Sequence, residues 1–298
     1  WWFRSRSLAV TMSTIKVEPL HKDFGAKIRG VDLGVLPNEA QIADIKTAID
    51  AHSLLVFPEQ KLNDDTQLAF TRRLGEPEVN HLRLGRDGVS DYFGTVGNVQ
   101  QDGTVLGNDH KHTKFAMGNN MWHTDASFRQ VPTFVSMNYV YEVPDEGGQT
   151  QYVSARGAYR RLPNEVKQII NPLVGIHDYV FSRSKVAKVE PSHAASLPPV
   201  KQKLVRQNPS TGEKNYFVGA HAKTIVGWGH TEARQLLDDL LDRATTPEYV
   251  YTHNWEPGQL VLWDNRCLLH KGTGYDADKY RRYMRQTRVV GSGPTLEE

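Results

Sequence analysis

The chain has 298 residues, a net charge of +2, and 39% hydrophobic and 9% aromatic residues. That is enough for a sizeable core and too balanced to advertise nucleic acid or an anionic membrane as a partner. One cysteine, Cys267, excludes an internal disulfide framework and fits a reducing, cytoplasmic setting, and its apolar neighbours make it a packing residue. No run approaches the roughly 18 apolar residues of a membrane span. Residues 1–14 lack the apolar stretch of a secretory signal and read as a disordered extension ahead of one domain over 15–298.

Short strands punctuated by Gly25, Gly30 and Gly34 open the domain. Asn38 caps a predicted helix to about residue 52, with Gln41 completing the cap and Ile42, Ile45 and Ile49 on one stripe. Residues 53–57 form a buried strand stopped by Pro58, and a second helix covers about 64–74 with Gly75 as its C-cap. Residues 77–120 are polar and weakly periodic, a long excursion of the kind that serves as a lid. Val135, Met137, Tyr139, Tyr141 and Val143 alternate along a strand, 144–148 turn, and 149–153 resume a strand, which predicts a β-hairpin. Residues 155–170 are helical with a break at Pro163, and 182–200 form a second long loop. Thr231 caps a helix whose core face carries Leu236, Leu237, Leu240 and Leu241. Further strands fall at 216–221, 249–253, 259–263 and 286–290. The sum is a mainly β, jelly-roll core with flanking helices.

Chemistry concentrates in His123-Thr-Asp125 and in His270, 147 residues downstream. Two imidazoles and a carboxylate on one face of a ferrous ion leave positions open for a co-substrate and O2, the ligand set of non-haem iron oxygenases. The H-x-D spacing suits a strand or its exit, where residues i and i+2 point the same way. An H-x-D triplet alone is weak, because chance supplies about one at this composition. A second copy, His21-Lys-Asp23, and the pair His110/His112 lie in polar surroundings and read as surface. A core histidine bonded to a carbonyl is the bland reading of any one of these rings. Here all three ligand types recur in strand contexts, with Trp122 and Phe128 around the first and the 259–263 strand ahead of the last. A zinc hydrolase or a non-catalytic cupin-like barrel uses similar ligands and stays open at this point.

A longer set of motifs narrows the choice. Gly30-Val-Asp-Leu33, Leu55-Val-Phe57, Trp122-His-Thr-Asp125, Gly147-Gly-Gln-Thr150, Trp263-Asp-Asn-Arg-Cys267, Arg281 and Arg285 together resemble the taurine dioxygenase / 2,4-dichlorophenoxyacetate dioxygenase family of Fe(II)/2-oxoglutarate enzymes. Gly118-Asn-Asn-Met-Trp122 and Phe217-Val-Gly-Ala-His-Ala222 lie nearer its aryloxyalkanoate branch. The resemblance implies a double-stranded β-helix, with His123, Asp125 and His270 as iron ligands and catalytic residues. Thr150 and Arg281 would hold the distal carboxylate of 2-oxoglutarate, with Asn119 lining the same cavity and Arg282 left as a solvated charge. Arg285, with His81 and Arg83 as helpers, would meet an anionic substrate. The implied reaction is O2-dependent hydroxylation of a small organic anion, aryloxyalkanoate-like first and a sulfonate or sulfate ester second, releasing succinate and CO2. A homo-oligomer is the expected state.

Overall fold

The computed structural model describes residues 15–79 and 92–298. Its largest sheet has seven strands in the order Lys16–Pro19, Ala26–Arg29, Leu54–Phe57, Leu260–Asp264, Thr133–Glu142, Tyr283–Val290 and Gly94–Gly97. One pair in it is parallel, Ala26–Arg29 with Leu54–Phe57. Parallel neighbours need a crossover, and the helix Glu39–His52 supplies it. That helix and the next, Asp64–Leu74, both start at capping boxes, Asn38 with Gln41 and Asn63 with Thr66. Each box satisfies two backbone donors that a bare helix start leaves open.

Alternation along the strands builds the layers. Leu55, Phe57, Val135, Met137, Tyr139, Leu260 and Leu262 face outward onto Ile42, Ile45, Ile49 and Phe70 of those two helices. Their neighbours Leu54, Val56, Val140, Val261, Trp263 and Met284 face the other way, onto Tyr152 and Leu268. These two belong to a three-stranded sheet of Tyr251–His253, Thr150–Ser154 and Leu268–Gly272. On its far side, Val153 and Leu269 pack with Ala158 and with Leu237 and Leu240 of the helix His230–Ala244. The order is therefore helix, sheet, sheet, helix.

The predicted hairpin over 133–153 does not form. Thr133–Glu142 pairs with Leu260–Asp264 and Tyr283–Val290, whereas Thr150–Ser154 crosses to the other sheet and pairs with Leu268–Gly272 and Tyr251–His253. Gly147 and Gly148, at φ 75° and 73°, turn the chain between layers instead of reversing it within one. Both long loops carry structure: Gly94–Gly97 edges the large sheet, Lys111–Ala116 is a short helix, and 182–200 contains Pro191–Ser196. The last long helix begins at His230 behind Gly229, one residue before the expected cap at Thr231. His81 and Arg83 lie outside the described residues. No described helix is long and apolar enough to cross a membrane. Cys267 is buried, and burial pushes its thiol up to about 12, in keeping with a packing role.

Buried histidines make the fold sensitive to acid, and two of them, His177 and His253, are not metal ligands. Burial pushes His177 down to about 3 and His253 to about 4. An unfolded histidine titrates near 6.5, so below that pH the unfolded chain takes up protons that the folded chain refuses. Stability is therefore full above about pH 6.5 and falls toward about pH 4, by about 1.4 kcal/mol per pH unit for each ring. Urea midpoints measured on the metal-free protein should drop across this range. His177→Gln should flatten the slope; an unchanged slope would remove His177 from the account.

Candidate metal centre

His123 and His270 sit opposite one another in an isolated antiparallel bridge, with His123 N donating to His270 O at 3.0 Å and His270 N to His123 O at 2.9 Å. This reciprocal pair closes the 147-residue gap and sets the two rings side by side, 4.3 Å between centroids. Asp125 follows two residues on, its Oδ1 3.7 Å from Nε2 of each ring. One ligand atom from each of the three lies within 4.8 Å of the others, and no other such group occurs among the described residues.

Neighbouring groups aim these ligands. His123 Nδ1 donates to the Met121 carbonyl at 2.7 Å, which leaves the Nε2 lone pair toward Asp125. Ser136 Oγ donates to Asp125 Oδ2 at 2.6 Å, and Asn265 Nδ2 donates to Ser136 Oγ at 2.9 Å. Asn265 Oδ1 in turn accepts from the Asp125 backbone at 3.0 Å. Oδ1 of Asp125 stays available for an ion. Burial opposes ionisation of Asp125, but the imidazoles of His270 and His123, when protonated, hold its carboxyl well below the usual range. Burial pushes His270 down to about 3, so that ring is neutral at pH 7, as a ligand must be. Two borderline nitrogens and one hard oxygen around a single point suit a divalent transition metal.

A second cluster adjoins His270. Tyr152 pairs with His270 in register and stacks on it, 5.9 Å between centroids at 23°. Thr150, two residues earlier, shares that face. Its Oγ1 accepts from Trp255 Nε1 at 3.0 Å, which leaves its own proton free to donate. The Arg282 guanidinium lies near Tyr152 and 5.9 Å from the Tyr275 ring, with Nε buried and without a partner.

Arg281 lies elsewhere, exposed and tied to Glu142 at 2.6 and 3.0 Å. Arg285 is fully buried, yet both its prongs hold Asp64, at 3.0 and 2.5 Å, and Nη1 donates to Thr95. Strand parity explains the placement of Arg285, and Arg281 and Arg282 continue from the strand's first residue, Tyr283. Thr287 bonds Thr71 on the helix side and Val289 packs in the same layer, so 281 and 285 share their parity. Met284 points between the sheets, and 282 shares its parity. Counting eleven residues from His270 selects Arg281, one position off the inward face, and a one-residue slip exchanges the faces of a strand. Asn119 is exposed, its Oδ1 accepting from Arg183 at 2.9 Å. His21 and His110 each accept from a backbone N–H two residues on. Tyr152, Ser136, Asn265 and Arg183 were not singled out by the sequence; only the i+2 relation of Tyr152 to Thr150 hinted at one of them.

Residues 16–288 match the model of the taurine catabolism dioxygenase TauD, TfdA family. The chain belongs to this family. This TauD, TfdA-family chain is 35% identical over 281 residues to the alpha-ketoglutarate-dependent 2,4-dichlorophenoxyacetate dioxygenase of Cupriavidus pinatubonensis, covering 93% of this chain and 98% of that one. It is 33% identical over 287 residues to the (S)-phenoxypropionate/alpha-ketoglutarate-dioxygenase of Sphingobium herbicidovorans, covering 92% and 94%. Among solved structures it is similar to AAD-2 in complex with Mn(II) and N-oxalylglycine, with a TM-score of 0.87 and 33% identity over 96% of this chain and 100% of that one. It is a 2-oxoglutarate-dependent non-haem iron dioxygenase, using Fe(II) with 2-oxoglutarate and O2 as co-substrates.

Proposed function

We propose that this enzyme hydroxylates a C–H bond of a small organic anion, an aryloxyalkanoate or a close relative, with succinate and CO2 as co-products. The observation that carries the reading is the adjacency of two clusters, the triad on one side of His270 and Thr150, Tyr152 and Arg282 on the other. His123, Asp125 and His270 hold the iron, which with the keto-acid and O2 supplies the oxidising chemistry. Arg282 and Thr150 receive the distal carboxylate of 2-oxoglutarate: the guanidinium offers a planar fork and the hydroxyl offers the proton that Trp255 leaves free. Tyr152, Trp255 and Trp263 keep that side dry. In this reading the two facing sheets are the halves of a double-stranded β-helix. The named substrates of the relatives support the aryloxyalkanoate class.

Succinate formation across aryloxyalkanoates, alkylsulfonates and sulfate esters tests it. Phenoxyacetate should drive far more succinate than taurine, and its neutral amide should drive little. Equal rates for acid and amide would sink the anionic-substrate reading and leave the iron chemistry untouched.

A further inference from the structure

Buried and half-buried arginines among the described residues have carboxylate partners, with two exceptions. Arg156 pairs with Glu213 at 3.0 Å, Arg206 with Glu298 at 2.5 Å and Arg285 with Asp64 at 2.5 Å. Arg282 and Arg183 have none among the described residues. The keto-acid accounts for Arg282, which leaves Arg183. It is 8% exposed, its Nη2 donates to Asn119 Oδ1 at 2.9 Å and its Nη1 to the Phe115 carbonyl at 3.3 Å. Its Nε is buried with no partner. The guanidinium lies 5.1 Å from the Phe115 ring and 5.8 Å from the Tyr179 ring. Carbonyl and amide oxygens satisfy part of its donor set, the Tyr179 hydroxyl lies within its reach, and Asp125 acts on it only from beyond ion-pair distance, so no carboxylate closes its fork, a costly state for a buried cation. A side chain at Gly118 would collide with this guanidinium, so the chain is cut away where Arg183 sits.

An aromatic wall joins this cation to the metal ligands. Tyr179 packs edge-on against Phe128 at 4.7 Å and lies parallel to His221 at 6.4 Å. His221 meets His123 edge-on at 6.3 Å. Ser182, the residue before Arg183, fixes His221 through a 2.7 Å bond to Nδ1. One short helix, Tyr179–Arg183, therefore supplies an aromatic surface, a buried cation and the prop for the ring against His123.

We propose that Arg183 receives the carboxylate of the substrate, whose aryl ring lies against Tyr179 and Phe128. The assignment rests on the organic-anion reading above and moves charge recognition from Arg285, whose fork is already filled by Asp64, to a different element. Asn119 is then a positioning residue that holds one prong of the fork.

The test titrates the anaerobic Fe(II)·2-oxoglutarate enzyme with phenoxyacetate and with phenoxyacetamide, read as perturbation of the visible spectrum of the complex. Wild-type protein should bind the acid more tightly than the amide. Arg183→Leu should weaken the acid by about ten- to a hundred-fold, the loss of charge-assisted bonds, and leave amide and 2-oxoglutarate affinities unchanged. Arg183→Lys keeps the charge without the fork and should give a smaller, acid-only loss, which serves as the test if the Leu variant does not fold. The proposal is overturned by acid affinity that survives both substitutions. Parallel weakening of acid and amide, loss of 2-oxoglutarate binding, or a wild type that binds the acid no better than the amide would overturn it as well. A wild type that fails to bind 2-oxoglutarate at all would instead strike the oxygenase reading itself.

Discussion

Asp125→Ala should abolish succinate formation while the protein stays folded. The carboxylate is the only charged group of three protein ligands, and it is what makes this pocket of two imidazoles attractive to a dication. Its removal does not disturb the frame, because His123 and His270 are aligned by their backbones, 3.0 and 2.9 Å across the bridge, and not by the carboxylate. His123→Ala and His270→Ala should behave likewise. Ser136→Ala probes the support behind the ligand: it frees Oδ2 of Asp125 and unseats Asn265, and should weaken metal binding by about ten- to a hundred-fold. Anaerobic metal titration together with urea midpoints separates these effects from unfolding. His21→Ala and His112→Ala are the controls and should be silent; a folded but inactive His112 variant would move the metal to the 110–112 segment.

How far the site was legible in the sequence follows from how local each cause is. The capping box at Asn38 and the Gly75 C-cap act over a few residues, so the two helices behind the large sheet could be read directly. The triad was legible because its residue types are rare in combination, although the bridge that joins its halves depends on the whole fold. Strand pairing was not legible. Residues 133–143 and 149–153 have the composition of a hairpin, and only the two-layer packing, with Val140 and Tyr152 in one core, sends them to different sheets. The supports were equally hidden. Ser136 reaches Asp125 across eleven residues and Asn265 reaches Ser136 across 129, and nothing local to either residue marks it. Arginine composition misled for the same reason. Arg183, Arg281, Arg282 and Arg285 look alike in sequence, and it is partners such as Glu142 and Asp64 that divide spoken-for cations from free ones.

Adjacent arginines then give the sharpest discrimination. Arg282→Leu should raise the 2-oxoglutarate requirement by about ten- to a hundred-fold, the equivalent of roughly 1.5–3 kcal/mol of charge-assisted hydrogen bonding, with little change in the requirement for the organic substrate. Arg281→Leu should change neither, because its side chain is half exposed and its ion pair with Glu142 is a surface pair of small worth. The two substitutions are the same chemical change one residue apart, so composition, charge and chain stiffness cancel between them. What differs is placement. The Arg282 guanidinium lies near Tyr152, which stacks on His270, whereas Arg281 is exposed and tied to Glu142. Arg282→Lys adds a graded check, since a retained charge without a planar fork should recover only part of the keto-acid affinity. Should Arg281→Leu weaken 2-oxoglutarate binding and Arg282→Leu spare it, the inward face of Tyr283–Val290 would have to be reassigned, and with it the place of the keto-acid beside His270.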